Sequence, residues 1–190
     1  IAQSGSSLLF PVACFDHAGD GRPWVALVQT FDVENADGVV DQHNFVVVLE
    51  HDPGGGGWVP HTVADLSYGL LPRAGVWGYP GRRRRPYLVP DDRGGVWVLW
   101  ERKEPHDANT RVAAGALLGR RFCEGRWQEP VRLVGEPYLD YAPDRRGVVG
   151  GRLVVAAQRA VPYTQPGRGE VVVLAVDTDE AAEAEPPPAQ

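Results

Sequence analysis

Apolar residues in this chain come in short, nearly unbroken runs rather than at helical spacing. Phe45-Val46-Val47-Val48-Leu49, Val96-Trp97-Val98-Leu99-Trp100 and Val171-Val172-Val173-Leu174 are β-branched or aromatic, and turn residues bound each of them. That is the pattern of strands. A half-solvated sheet would alternate apolar and polar positions, so these runs predict sheets covered on both faces. The order of signals also repeats. FPVACFDHAGDGRPWVALVQ and RPYLVPDDRGGVWVLWER share a proline, an apolar strand, an Asp and Gly turn and a Trp that opens the next strand. Pro11, Asp16, Gly19 and Trp24 match Pro86, Asp91, Gly94 and Trp97, at a period of roughly seventy residues. Further on, Trp58-Val59-Pro60 corresponds to Trp127-Gln128-Glu129-Pro130, which gives each copy four strand candidates. A third, incomplete copy starts at Tyr138 and stops where its fourth strand is expected. The reading is of repeats over about 8–65, 85–135 and 138–176, with about eleven strands.

Composition narrows this picture. Glycine (23) and proline (17) are too frequent in 190 residues for long helices and suit short strands and turns. The 43% apolar content supports a core without disulfides. A net charge of −6 and a pI near 5.3 work against nucleic acid and anionic membrane as partners, both of which call for clustered positive charge. No apolar run reaches the ~20 residues of a membrane helix. The two cysteines, Cys14 and Cys123, fit no zinc spacing and read as buried thiols, with a single bridge left open. The last fourteen residues, DTDEAAEAEPPPAQ, read as an acidic, proline-rich disordered tail over 177–190. The chain starts at Ile1 and has no methionine, so it is expected to be a piece of a longer polypeptide whose upstream part carries any targeting signal. No compartment is assigned, and an extracytoplasmic one stays open.

In an up-and-down meander the turns after strands one and three share one end, and those after strands two and four share the other. The first kind is short here, whereas the second includes 31–43, 64–84, 103–109 and 160–169. Long loops on a rigid scaffold are where binding concentrates, so the candidate ligand residues are Arg73, Trp77, Tyr79, His106 and Asp107. With Tyr68, the aromatic residues and arginine of 64–84 suit stacking on a sugar ring and bonding to its hydroxyls; the same residues also suit folding back into the loop. His106 and Asp107 could form an acid–base pair beside Glu104, against the plainer reading of a polar turn. Asp32, Glu34, Asp37, Asp41 and His43 offer oxygen for a calcium ion, against a solvated acidic loop, and no metal site is assigned. Arg82 to Arg85 could grip a carboxylate or phosphate, or simply be a solvated strand entrance. No phosphate loop, zinc motif or nucleophile elbow occurs, and no cofactor is expected.

The stretches PYLVPDDRGGVWVLWER and EGRWQEPVRLV resemble the repeats of the sialidase-like propeller family. The resemblance implies an all-β fold, an incomplete β-propeller of about three four-stranded antiparallel blades, since a closed ring takes at least ~4. Asp92-Arg93-Gly94-Gly95-Val96-Trp97 matches the spacing of that family's Asp-box, with Pro90 in place of its Ser or Thr, and lies between a first and a second strand rather than between a third and a fourth. The family's arginine triad is not matched, and Tyr141 and Glu170 match its Tyr and Glu couple in residue type only. The expected function is therefore a binding module for carbohydrate or another polar ligand. The alternatives are a fragment of a glycoside hydrolase and a protein-interaction propeller without catalysis. Further blades would come from upstream sequence or from another chain.

Overall fold

The computed structural model describes residues 4–15, 21–34, 40–65, 86–103, 115–159, 170–180 and 182–183. Among them there is no helix; the architecture is all-β and antiparallel, and no sheet closes on itself. β1 (Ser4–Phe15), β2 (Pro23–Glu34), β3 (Val40–Asp52) and β4 (Gly57–Asp65) form the first sheet in chain order. β5 (Tyr87–Pro90), β6 (Val96–Lys103), β7 (Gly115–Cys123) and the opening residues of β9 (Val131–Val149) form the second, with β8 (Arg126–Trp127) beside β7. The remainder of β9 pairs with β10 (Arg152–Arg159), which pairs with β11 (Glu170–Asp177) to make the third. β12 (Ala182–Glu183) pairs back to the start of β9. Thr178, just past β11, is buried, and both its backbone N–H and its hydroxyl bond the Gly151 carbonyl.

The hydrogen-bond register of β9 shows a reversal of the chain. Its first residues run antiparallel to β7, with Arg132 opposite Leu118 and Val134 opposite Leu117. Two antiparallel steps make β7 parallel to β5, so the start of β9 opposes β5. Yet Val148, near its end, forms a parallel bridge with Asp91 at the end of β5. The chain therefore turns back between Val134 and Val148, and Tyr138 marks the corner, opposite both Gly115 and Arg159. One element is at once the fourth strand of the second sheet and the first of the third.

Two apolar clusters hold the three sheets face to face. Trp24, Ala26, Val46 and Val48 of the first sheet meet Val96, Val98, Trp100 and Leu118 of the second. Trp97, Leu99, Leu117 and Leu133 on the other face of the second sheet meet Tyr141, Val148, Leu153 and Val155 of the third. Successive β6 side chains point to opposite faces, and all five residues from Val96 to Trp100 are buried, so the middle sheet is covered on both sides as its unbroken apolar run predicts. Packing is close at Gly119, where a Cβ would stand 2.8 Å from Leu133 Cδ1 and 2.9 Å from Leu99 Cδ2, so a larger residue there would shift the leucine side chains.

The third sheet departs from expectation. Val172, Leu174 and Val176 of β11 turn inward, but Val171 and Val173 are each 71% exposed, and Val154 beside them on β10 is 40% exposed. The run Val171 to Leu174 predicts two covered faces and has one. Cys14 and Cys123 are only half-buried, which corrects the expectation of buried thiols; Cys123 Sγ accepts a hydrogen bond from Gln128 Nε2 at 2.8 Å.

Candidate functional site

The two ends of the stack differ in how the chain turns. At one end lie the turns 53–56, 91–95, 124–125 and 150–151. The pair Glu124-Gly125 has φ values of 52° and 75°, the left-handed backbone of a tight two-residue hairpin. The segments 35–39, 66–85, 104–114 and 160–169 join strand ends at the opposite end.

The short-turn end is locked around Asp91. Its carboxylate is fully buried; Oδ2 accepts from Trp97 Nε1 at 3.1 Å, and Oδ1 accepts from the Arg93 backbone N–H at 2.9 Å. Arg121 Nε stands 2.8 Å from Oδ2, in charge contact but off the line of its N–H. Gly95 completes this turn at φ 93°, and a Cβ there would fall 1.9 Å from the Phe122 carbonyl oxygen. The neighbouring Asp92 instead accepts from the Gly150 backbone N–H of the third sheet at 2.8 Å. The carboxylate that organises the Trp97 turn is thus Asp91, one residue before the Asp92 of the sequence match.

A cleft of about 390 Å³ opens beside this turn, lined by Arg22, Glu50, Arg93, Arg121, Cys123 and Glu124 among others. Three arginines in one cleft invite an anion, but each is already engaged. Arg22 Nη1 meets Glu50 Oε1 at 2.8 Å, Arg121 meets Asp91, and Arg93 grips Asp179 with two bonds of 2.9 and 2.8 Å. Those hydrogen bonds hold the Asp179 carboxyl below its usual range and raise Arg93 above its own. Glu124 adds a fourth carboxylate, so no net positive charge faces an incoming anion. Of these pairs Arg93–Asp179 clasps the second sheet to the third, while Arg22–Glu50 and Arg121–Asp91 each lie within one sheet.

The long-connection end carries a different group. Glu101 lies two residues before the end of β6 and is 5% exposed. It points to the same face as Leu99, toward the third sheet, where its Oε1 accepts from the Tyr141 backbone N–H at 3.4 Å. Tyr87, the first residue of β5, donates its hydroxyl to the Tyr141 carbonyl. A carboxylate and two phenols are thereby packed between two sheets, directly beneath the strand ends that the long segments join. A buried acid is costly unless bonded, so a strand with Glu at an inward position is a notable choice. Alternation along Val96 to Glu101 assigns it to the face of Trp97 and Leu99, a signal the sequence reading did not use.

Arg73, Trp77, Tyr79, His106 and Asp107 lie outside the described residues, as do Tyr68, Glu104 and Arg82 to Arg85. The backbones of Asp32, Glu34, Asp41 and His43 belong to β2 and β3, and nothing is described of their side chains or of Asp37. Tyr141 is buried beside Glu101, whereas Glu170 is an exposed residue at the start of β11. Among the described residues no group of three His, Cys, Asp or Glu side chains is placed to hold a metal ion, and no helix is long and apolar enough to cross a membrane. Comparison with known proteins finds no matching family model and no similar curated protein or solved structure.

Proposed function

We propose that this chain is a sector of a β-propeller that serves as a binding module for carbohydrate or a similarly polar ligand, held at the long-connection end. The observation that carries the reading is the asymmetry between the ends. Short turns and ion pairs close one end upon itself, while the three longest connections, 66–85, 104–114 and 160–169, join strand ends at the other, the end that carries Glu101, Tyr87 and Tyr141. The propeller part is supported by the first strands of the three sheets, since β5 touches β1 on one side and β9 on the other, as strands around a common axis would. In this reading Arg73, Trp77 and Tyr79, with His106 and Asp107, contact the ligand, and Glu101 positions the floor beneath them.

Asp91 and Glu101 are not themselves spaced as the acid pair of a glycosidase. Glycosidases set two carboxyl groups about 5–10 Å apart. The two buried carboxylates among the described residues, Asp91 and Glu101, are six residues of strand apart counting from Gly95, which bonds Asp91; at the rise of a β-strand that is roughly 20 Å.

A glycan array probed with the 190-residue chain tests the reading. Retention of defined glycans, lost in Trp77→Ala and Arg73→Ala but kept in Arg22→Ala at the clasp end, is the expected result. Absence of any glycan-dependent signal, or equal loss in all three variants, overturns it.

A further inference from the structure

Edge strands are liabilities because their outer N–H and C=O groups can recruit another strand, and chains blunt them with proline, short length or cover. Among the described residues the strand edges follow that rule with one exception. β1 contains Pro11, β4 contains Pro60, and β5 is four residues long and ends at Pro90. The outer side of the first residues of β9 is taken by β12. β11 is eight residues, Glu170-Val-Val-Val-Leu-Ala-Val-Asp177, with no proline and strong β propensity, and among the described residues it pairs only with β10.

Among the described residues the first two sheets each have four strands, β1 to β4 and β5, β6, β7, β9, while the third has three in β9, β10 and β11. The fourth position of the third sheet is the one beside β11. The outward Val171 and Val173, each 71% exposed, adjoin that position, so a strand seated there could lay its own side chains over them.

We propose that β11 is a strand-addition site that takes an extended segment of a partner protein, apolar in its centre and basic at both ends. The charge requirement comes from the pairing already present. On its occupied side β11 presents Glu170 opposite Arg159 and Asp177 opposite Arg152, so β10 answers acid with base at both ends in an antiparallel register. A strand on the other side meets the same two acids. A second copy of β11 is disfavoured by this pattern, because its full antiparallel overlap would set Glu170 against Asp177 at both ends. Segment main chain supplies affinity, and its terminal charges supply register and selection, as in other sheet-edge recognition. The site lies apart from the long-connection end and holds whether or not that end binds a glycan.

The test uses two synthetic peptides: Arg-Leu-Val-Val-Ala-Ala-Gln-Arg, which copies β10, and the same peptide with Glu at both ends. Each is fluorescently labelled and titrated with the 190-residue chain at low ionic strength. The basic peptide is expected to bind about tenfold more tightly than the acidic one. The Glu170→Lys and Asp177→Lys double variant is expected to reverse that preference, and hydrogen exchange at the β11 amides should slow when the basic peptide is bound. Absence of binding by either peptide, binding indifferent to the charge reversal, or self-association of the chain through β11 in place of peptide binding overturns the proposal. Circular dichroism and the thermal midpoint of the double variant establish that it is folded before binding is measured.

Discussion

Trp97 donates its indole N–H to a carboxylate of Asp91 that solvent does not reach, and the bond joins the end of β5 to the second residue of β6 across a turn. Because the same carboxylate faces Arg121, the pair is part of a buried charged unit whose members cannot be removed singly at low cost. Asp91→Ala is expected to destabilise the fold by about 3–5 kcal/mol, since it leaves Arg121 without its counter-charge. Trp97→Phe keeps an aromatic ring and the ion pair but loses the indole N–H and part of the ring volume, and is expected to cost about 1–3 kcal/mol. Urea unfolding of the two variants checks the order.

The hairpin between β7 and β8 places Glu124 at φ 52°, a conformation that glycine and asparagine adopt with less strain. Glu124→Gly or Glu124→Asn is therefore expected to raise stability by about 0.5–1 kcal/mol. The equivalent turn between β9 and β10 already uses Gly150 and Gly151, both at positive φ, so Gly150→Ala is expected to lower it. Thermal unfolding of the three variants checks the contrast.

Acid should open the clasp from the side of Asp179. Its carboxyl is held below the usual range by Arg93, so the stabilising contribution is present above the unfolded-chain value, near ~3.9, and is lost as pH falls through the depressed folded value. Asp179→Asn should be less stable than the native chain at neutral pH, and the gap should close in acid below about pH 4. Urea midpoints measured for both proteins from neutral to acid pH check this; a gap independent of pH contradicts it.

The two faces of the third sheet should respond differently to truncation. Val155→Ala, in the fully buried row, is expected to cost about 1–3 kcal/mol. Val173→Thr, on the exposed row, is expected to stay within about 0.5 kcal/mol of the native chain. Chemical denaturation of each variant measures the difference.

Those two valines also show how far the sequence can be read. Val96 to Trp100 and Val171 to Leu174 look alike as letters, and both announce strands. Whether a strand is covered on one face or two depends on what packs against it, and that is a property of neighbours rather than of the run itself. The adjacent carboxylates Asp91 and Asp92 pose the same problem on a smaller scale, because one residue of strand alternation decides which is buried under Trp97 and which reaches Gly150. The alternation of buried faces was available for Glu101 as well. What hid that residue was the weight given to loop composition, which drew attention to Arg73, Trp77 and Tyr79 and away from a charged side chain inside a strand. The cleft of Arg22, Arg93 and Arg121 could not be read at all, since its members come from three separated stretches that only the stacking of the sheets brings together.

The reversal at Tyr138 bears on how modular the repeat is. Between the first and second sheets the chain has a connection that could be lengthened, cut or rejoined while each sheet kept its strands. Between the second and third the two arms of β9 meet at one corner, where Tyr138 pairs with both β7 and β10, so a break at that residue disturbs both sheets. Shuffling, circular permutation or proteolytic dissection should therefore treat residues 86–180 as one indivisible piece and the first sheet as the exchangeable one.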